Sequence, residues 1–131
     1  MLDSKRELIA YRLEAAKEKL SSAQVLLASG NYKDSVGRSY YAMFSAVRAL
    51  LALDEVDFAK HSGVISYFQE KYIKTGKLPV MYSKYLSTAF QVRNNCDYAD
   101  FYIVLKEDAS EQCEHAKAFI AAIQQYLSVE C

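Results

Sequence analysis

An all-α, antiparallel bundle of four to five helices is the fold this sequence predicts, and three observations predict it. Apolar residues recur at steps of three, four and seven over most of the chain. Four Gly and one Pro leave few interruptions, and those that occur fall between the periodic stretches. The rest is rich in helix formers and includes eleven Tyr, a mixture suited to helices packed by aromatic side chains. At 131 residues the chain, 1–131, is the size of one domain and can bury a core without disulfides or a structural metal.

The first helix is predicted from Leu2 to about Ser29, with Leu2, Ile9, Leu13, Ala16, Leu20, Ala23 and Leu27 on one face. Its charged residues, Glu14, Lys17 and Glu18 among them, form a solvated face. Gly30-Asn31 tolerates a left-handed backbone and turns the chain into an antiparallel second helix, Tyr32 to Leu53. Val36, Tyr40, Met43, Val47 and Leu50 make this the core helix, with Phe44 and Leu51 widening its face. Gly37, Ala42, Ser45, Ala46 and Ala49 are expected to let a neighbouring helix approach closely. Arg38 and two phenols lie in the same run, Arg38-Ser39-Tyr40-Tyr41-Ala42-Met43-Phe44, and need polar partners or a place at the rim.

Asp54-Glu55-Val56-Asp57 breaks the pattern, and a third, shorter helix holding Val64, Ile65, Phe68 and Tyr72 is expected, capped by Ser62 or a neighbour. Thr75-Gly76-Lys77-Leu78-Pro79 ends it. Lys71, Lys74, Lys77 and Lys84 alternate here with Tyr72, Tyr82 and Tyr85, a pattern able to track a phosphate backbone, although a solvated charged turn is the favoured reading. A fourth helix runs from about Val80 and ends near Arg93 to Asp97, using Tyr82, Tyr85, Leu86, Ala89, Phe90 and Val92. Phe101 to Leu105 reads as an extended connector, since a lone strand would have no partner. The last helix, Lys106 to Ser128, aligns Ala109, Cys113, Ala116, Ile120, Ile123 and Leu127, with Phe119 and Tyr126 beside them. Glu107, Asp108 and Glu111 suit its positive N-terminal end.

Sixteen Lys plus Arg balance sixteen Asp plus Glu, so nucleic-acid or membrane attraction must come from a local patch. Cys96, Cys113 and Cys131 form no C-x-x-C pair and read as reduced thiols. No signal peptide or membrane span is visible, so a soluble, cytoplasmic protein is expected. P-loop, G-x-G-x-x-G, H-E-x-x-H and G-x-S-x-G motifs are absent. Glu111 and His115 share a helix face but lack a third ligand, so an exposed pair is preferred to a metal site, and no metal or cofactor is expected. His61 can act as an acid-base group or sit structurally at a helix start. Arg93 and Asp97, four apart, form a simple ion pair if the helix continues that far. In the functional alternative, Arg93 binds a phosphate, Asn94 and Asn95 supply amide donors and acceptors, and Tyr98 donates a hydrogen bond or stacks on a base.

Four segments occur in order: Arg38 through Phe44, then His61-Ser62-Gly63-Val64-Ile65, then Phe68 through Leu78, and finally Arg93-Asn94-Asn95-Cys96-Asp97-Tyr98. Together they resemble an uncharacterised branch of the HEPN family, with the pattern S-R-x-Y-Y-A-x-F followed by R-x-x-x-D-Y. The resemblance implies a dimeric helical bundle whose Arg motifs face a shared cleft. It also implies a partner, a minimal nucleotidyltransferase, in a toxin-antitoxin type of system. Many HEPN proteins are metal-independent endoribonucleases that use an Arg separated by four to six residues from a His. Arg93 matches that Arg, whereas Tyr98, Ala99 and Asp100 stand where the His would fall. A Tyr two residues beyond the His can receive a nucleotide in related toxins, and Asp100 takes that place when counted from Arg93.

Cleavage at a ribose 2′-hydroxyl requires a base, an acid and stabilisation of the phosphate, and Arg93 supplies only the last. Asp97 or His61 would have to be the base and Tyr98 the acid, with an ordinary phenol pKa of about 10. The sequence reading is therefore an RNA- or nucleotide-binding homodimer using Arg93, Asn94, Asn95 and Arg38. The alternatives are an active endoribonuclease using Arg93, Asp97, Tyr98 or His61, and a non-catalytic adaptor that binds a protein partner.

Overall fold

The computed structural model describes residues 2–130, with side chains from Ser4 onward; Cys131 and the Leu2 side chain, both used in the sequence reading, lie outside what is described. Five α-helices follow one another: α1 Leu2–Ala28, α2 Tyr32–Asp54, α3 His61–Phe68, α4 Val80–Tyr98 and α5 Lys106–Glu130. No strand occurs among the described residues. The expected all-α bundle forms, with helix ends within a residue or two of those read from spacing except at α3.

α2 is the central helix because its apolar positions cover more than one face. Val36, Tyr40, Met43, Val47, Leu50 and Leu51 are all at most 1% exposed, and each such side chain contributes on the order of 1.5–3 kcal/mol by leaving water. Against it pack α1 most extensively, then α5 and α4. Ala16 and Ala23 of α1 and Ala42, Ala46 and Ala49 of α2 are fully buried, so small residues do permit close packing of helices. Gly37 does not belong with them. A Cβ placed on Gly37 would meet nothing within 4 Å, because this glycine faces an open cleft and not a neighbouring helix.

The α1–α2 turn closes as its residues require. Gly30 has φ +84°, and the amides of Gly30 and Asn31 donate to Leu27 and Leu26 carbonyls at 3.1 and 2.9 Å. α2 ends on Glu55 at φ 58°, a left-handed cap made by a residue other than glycine. Asp54 at this end accepts hydrogen bonds from the phenols of Tyr67 at 2.9 Å and Tyr72 at 2.6 Å, which ties α3 and its extension to α2.

The third helical segment differs from expectation in two ways. Lys60 occupies its N-cap position without a side-chain cap bond, and Ser62 lies exposed inside the first turn. After Phe68 the chain continues as a π-helical turn, Gln69–Ile73. Phe68 before this turn and Tyr72 within it both lie in the core, each 1% exposed. Phe101 to Leu105 is a connector with neither helix nor strand, and it is anchored by Val104 in a small second cluster with Val36 and Ala109. The apolar face of α5 is buried at every position read from its spacing.

Candidate functional site

Arg93 lies one turn before the end of α4, on the side facing α2. Its Nε is 3.1 Å from Asp97 Oδ2, with the two side chains 21% and 45% exposed. The i to i+4 offset brings them together, as spacing alone suggested. The Arg93 guanidinium also lies over two rings of α2, 5.2 Å from the Tyr41 centroid and 5.8 Å from that of Tyr40, a cation–π arrangement that suits a delocalised planar cation. Arg93 is therefore held from three sides.

His61 arrives at the same place from the start of α3. Its Nδ1 is 2.9 Å from the Tyr40 hydroxyl, and its ring stacks on Phe44 at 4.2 Å between centroids. Tyr40 is fully buried, and burial pushes its phenol far above the ordinary range, with Arg93 opposing and Tyr41 adding to the shift. The hydroxyl therefore keeps its proton, and its hydrogen bond to Nδ1 fixes the orientation of the imidazole. His61 is thereby held with one ring nitrogen engaged. Its pKa lies below the usual imidazole value, first because of burial and then because of Arg93, so the neutral form is favoured at pH 7.

Beside the Arg93–Asp97 pair opens a cleft of ≈ 530 Å³ whose lining includes Lys33, Asp34, Gly37, Arg38, Tyr41 and Asp97. Lys33 and Arg38 are exposed, and neither has a carboxylate partner within 4.0 Å among the described residues. Tyr41 is shared: one side takes the Arg93 guanidinium, and the ring also lines the cleft. Cys96, at the same end of α4, is a neutral thiol whose pKa burial raises despite Lys33.

A family profile described as HEPN domain matches residues 9–126 of this chain. The chain belongs to the HEPN domain family. Its HEPN relatives include a UPF0332 protein of Thermotoga maritima, 32% identical over 96% of this chain and 96% of its own length. A protein of Methanocaldococcus jannaschii that bears the name of a candidate toxin is 35% identical over 94% of this chain and 83% of its own length. The crystal structure of a Thermus thermophilus protein superposes with a TM-score of 0.74 at 17% identity, covering 90% of this chain and 97% of that one, which shows a common fold.

On this HEPN scaffold the residues singled out from sequence separate into two groups. Arg93, Asp97, Arg38 and His61 converge on Tyr40 and Tyr41. Tyr98 does not join them: it is 79% exposed, and five residues beyond Arg93 it points roughly 140° away around the helix. Asn94 and Asn95 also lie on other sides of α4, and Asn95 Oδ1 accepts from Gln91 Nε2 at 3.3 Å. Sequence reasoning missed Lys33 and the role of Gly37. An isolated glycine inside a helical pattern was the available signal, because such a residue usually has a packing or spatial reason.

Other candidates behave as surface or core features. His115 is 3.7 Å from Glu111 and lies flat on Tyr85 at 3.9 Å. No cluster of three metal-ligating side chains occurs among the described residues. Lys74 pairs with Glu70 at 3.1 Å, in keeping with a solvated charged turn. No described helix is long and apolar enough to cross a membrane.

Proposed function

We propose that this HEPN protein is a toxin-type component that binds RNA or a nucleotide phosphate in the cleft between Arg38 and Arg93. It would work as a homodimer in the cytoplasm, paired with a minimal nucleotidyltransferase. The observation that carries the reading is the cleft itself. Two cations without carboxylate partners among the described residues, Lys33 and Arg38, open onto it beside a third, Arg93, that is already oriented by Asp97 and two rings. Arg guanidinium groups match phosphate oxygens in pairs, and Tyr41 offers a ring edge to a base or sugar. The toxin designation of the archaeal relative supports the biological class.

Binding is favoured over turnover. His61 Nδ1 is engaged by Tyr40 and Asp97 is engaged by Arg93, so each already spends a polar atom on a partner within the chain. The endoribonuclease reading retains one supporting observation, the convergence of His61 and Arg93 on Tyr40.

The test is a titration of a fluorescent oligoribonucleotide and of a nucleoside monophosphate, both in chelator. Wild type is compared with Arg93→Ala, Arg38→Ala and Gly37→Leu. The expected result is a Kd at least tenfold weaker for each variant at unchanged helical content. Gly37→Leu is informative because it fills the cleft and removes no charge. Unchanged binding in all three would overturn the reading. RNA cut by wild type but not by Arg93→Ala would replace it with the endoribonuclease. Partner-protein binding that survives Arg93→Ala, with no RNA binding by wild type, would replace it with the adaptor.

A further inference from the structure

The cleft beside the Arg93–Asp97 pair is not lined by cations alone. Asp34 also lines it, is exposed, and makes no ion pair within 4.0 Å among the described residues, its neighbour Lys33 included. Asp97, the other acid of the lining, is taken up by Arg93. A carboxylate repels a phosphate, so a cleft serving phosphate alone would bind it better without Asp34. The start of a helix favours an acid, and Asp34 stands in the first turn of α2. That preference is met equally from the sides of the turn that face away from the cleft.

The register of α2 shows what Asp34 shares the cleft with. Asp34, Gly37, Arg38 and Tyr41 follow one another at offsets of three, four and seven, which makes one stripe along the helix, and all four line the cleft. At 1.5 Å of rise per residue the stripe is about 10 Å long. Its far end is cationic, with exposed Arg38 and the Arg93 guanidinium 5.2 Å from the Tyr41 ring. Its near end is the free carboxylate. Between them lies Gly37, where a Cβ would meet nothing within 4 Å. Glycine inside a helix destabilises it, and no neighbouring helix uses the space, whereas a flat ring could lie close on the bare backbone. A nucleotide has the same polarity over a similar length, with phosphate at one end and the hydrogen-bonding edge of the base at the other.

The four bases differ in what they offer a carboxylate, which only accepts, through two oxygens. Guanine presents two donors side by side, its ring N1–H and its exocyclic amino group, and these match the two oxygens as an arginine fork does. Adenine and cytosine each set one amino donor beside a bare ring nitrogen, and uracil sets one N–H between two carbonyls. Each of these three therefore turns an acceptor toward the carboxylate. A site built on hydrogen bonds rejects an analogue that lacks the donors. We infer that the cleft selects guanine, with Asp34 accepting from the ring N–H and the amino group, the base lying over Gly37, and Arg38 and Arg93 taking the 5′-phosphate.

The inference rests on the phosphate-cleft reading above and adds which base the cleft holds. The test is calorimetric titration of the full chain, wild type and Asp34→Asn, with GMP, IMP, AMP, CMP and UMP in chelator. Oligoribonucleotides that differ only by one G or A follow. IMP keeps the ring N–H of guanine and lacks its amino group. Asp34→Asn preserves the side chain's shape, and thermal melts of the same samples report its fold. The readout is the ratio of affinities, because losing one negative charge strengthens every phosphate alike and cancels in the ratio. The expected result for wild type is GMP bound about tenfold or more tighter than AMP, CMP or UMP, with IMP weaker than GMP. For Asp34→Asn these ratios should fall to less than about threefold. A G-bearing oligonucleotide bound more tightly than GMP supports the inference with RNA as the source of the base, and GMP bound as tightly as the oligonucleotide supports it with a free nucleotide. A wild type that prefers another base or none, or a guanine preference that survives Asp34→Asn, overturns the choice of guanine and leaves phosphate binding standing. No binding of any nucleotide or oligonucleotide overturns both this inference and the phosphate-cleft reading.

Discussion

At residue scale the site turns on how few atoms each charged group has to itself. Arg93 shares its guanidinium among Asp97, Tyr40 and Tyr41, whereas Arg38 and Lys33 have no carboxylate partner among the described residues. The offset of four between Arg93 and Asp97 was legible because helix geometry fixes it. The approach of His61 was not, since the stretch of chain between it and Arg93 says nothing about where α3 lands. Gly37 gives a direct prediction. A Cβ there meets nothing within 4 Å, so Gly37→Ala should stabilise the protein by about 0.5–1 kcal/mol, read as a higher urea midpoint. His61 gives a second. Its folded pKa is depressed below 6.5, so the unfolded chain binds the proton more readily. The associated stability is present above pH 6.5 and is lost as pH falls through the folded pKa. Urea midpoints measured from about pH 7.5 to 5 should fall, and His61→Asn should flatten that slope.

Single helices explain both the accuracy of the expected boundaries and their failure at α3. α2 and α5 have strong period and long runs, and burial followed period along the main apolar stripe of each, with Gly37, Ser45 and Tyr126 only partly buried. The π-helical turn after Phe68 inserts one residue into the ladder, a change that a scan for steps of three and four reads as continued helix. The cap of α2 offers a test at this scale. Glu55 sits at φ 58° and makes only a 3.7 Å exposed pair with Lys5, while a left-handed backbone costs an ordinary L residue roughly 1–2 kcal/mol. Glu55→Gly should therefore raise the melting temperature, by an amount corresponding to about 1 kcal/mol. Phe119 of α5 is fully buried and packs against Phe68 and Tyr82. Phe119→Ala should cost about 3–5 kcal/mol, and a loss under about 1 kcal/mol in a denaturant titration would show that this face of α5 is not core.

For the whole molecule, sixteen positive and sixteen negative side chains leave no net charge, so the proposed phosphate attraction would have to come from the local Lys33, Arg38 and Arg93 cluster. The slope of log affinity for single-stranded RNA against log salt should accordingly be shallow. Arg38→Ala should reduce it by roughly 0.7, and an unchanged slope would remove Arg38 from the phosphate contacts. The sequence by itself determined the helices and the central place of α2, because periodic burial and turn chemistry act over a few residues, and it carried the resemblance to the HEPN family that the matching profile bears out. It also determined the Arg93–Asp97 pair. Only the tertiary structure decided that Gly37 opens a cleft, that the Tyr40 hydroxyl is hydrogen-bonded to His61 Nδ1, that Tyr98 turns away from Arg93, and that Phe101 stands outside the core. These depend on how α2, α3 and α4 pack across long stretches of chain, and residue spacing within one element carries no information about that packing.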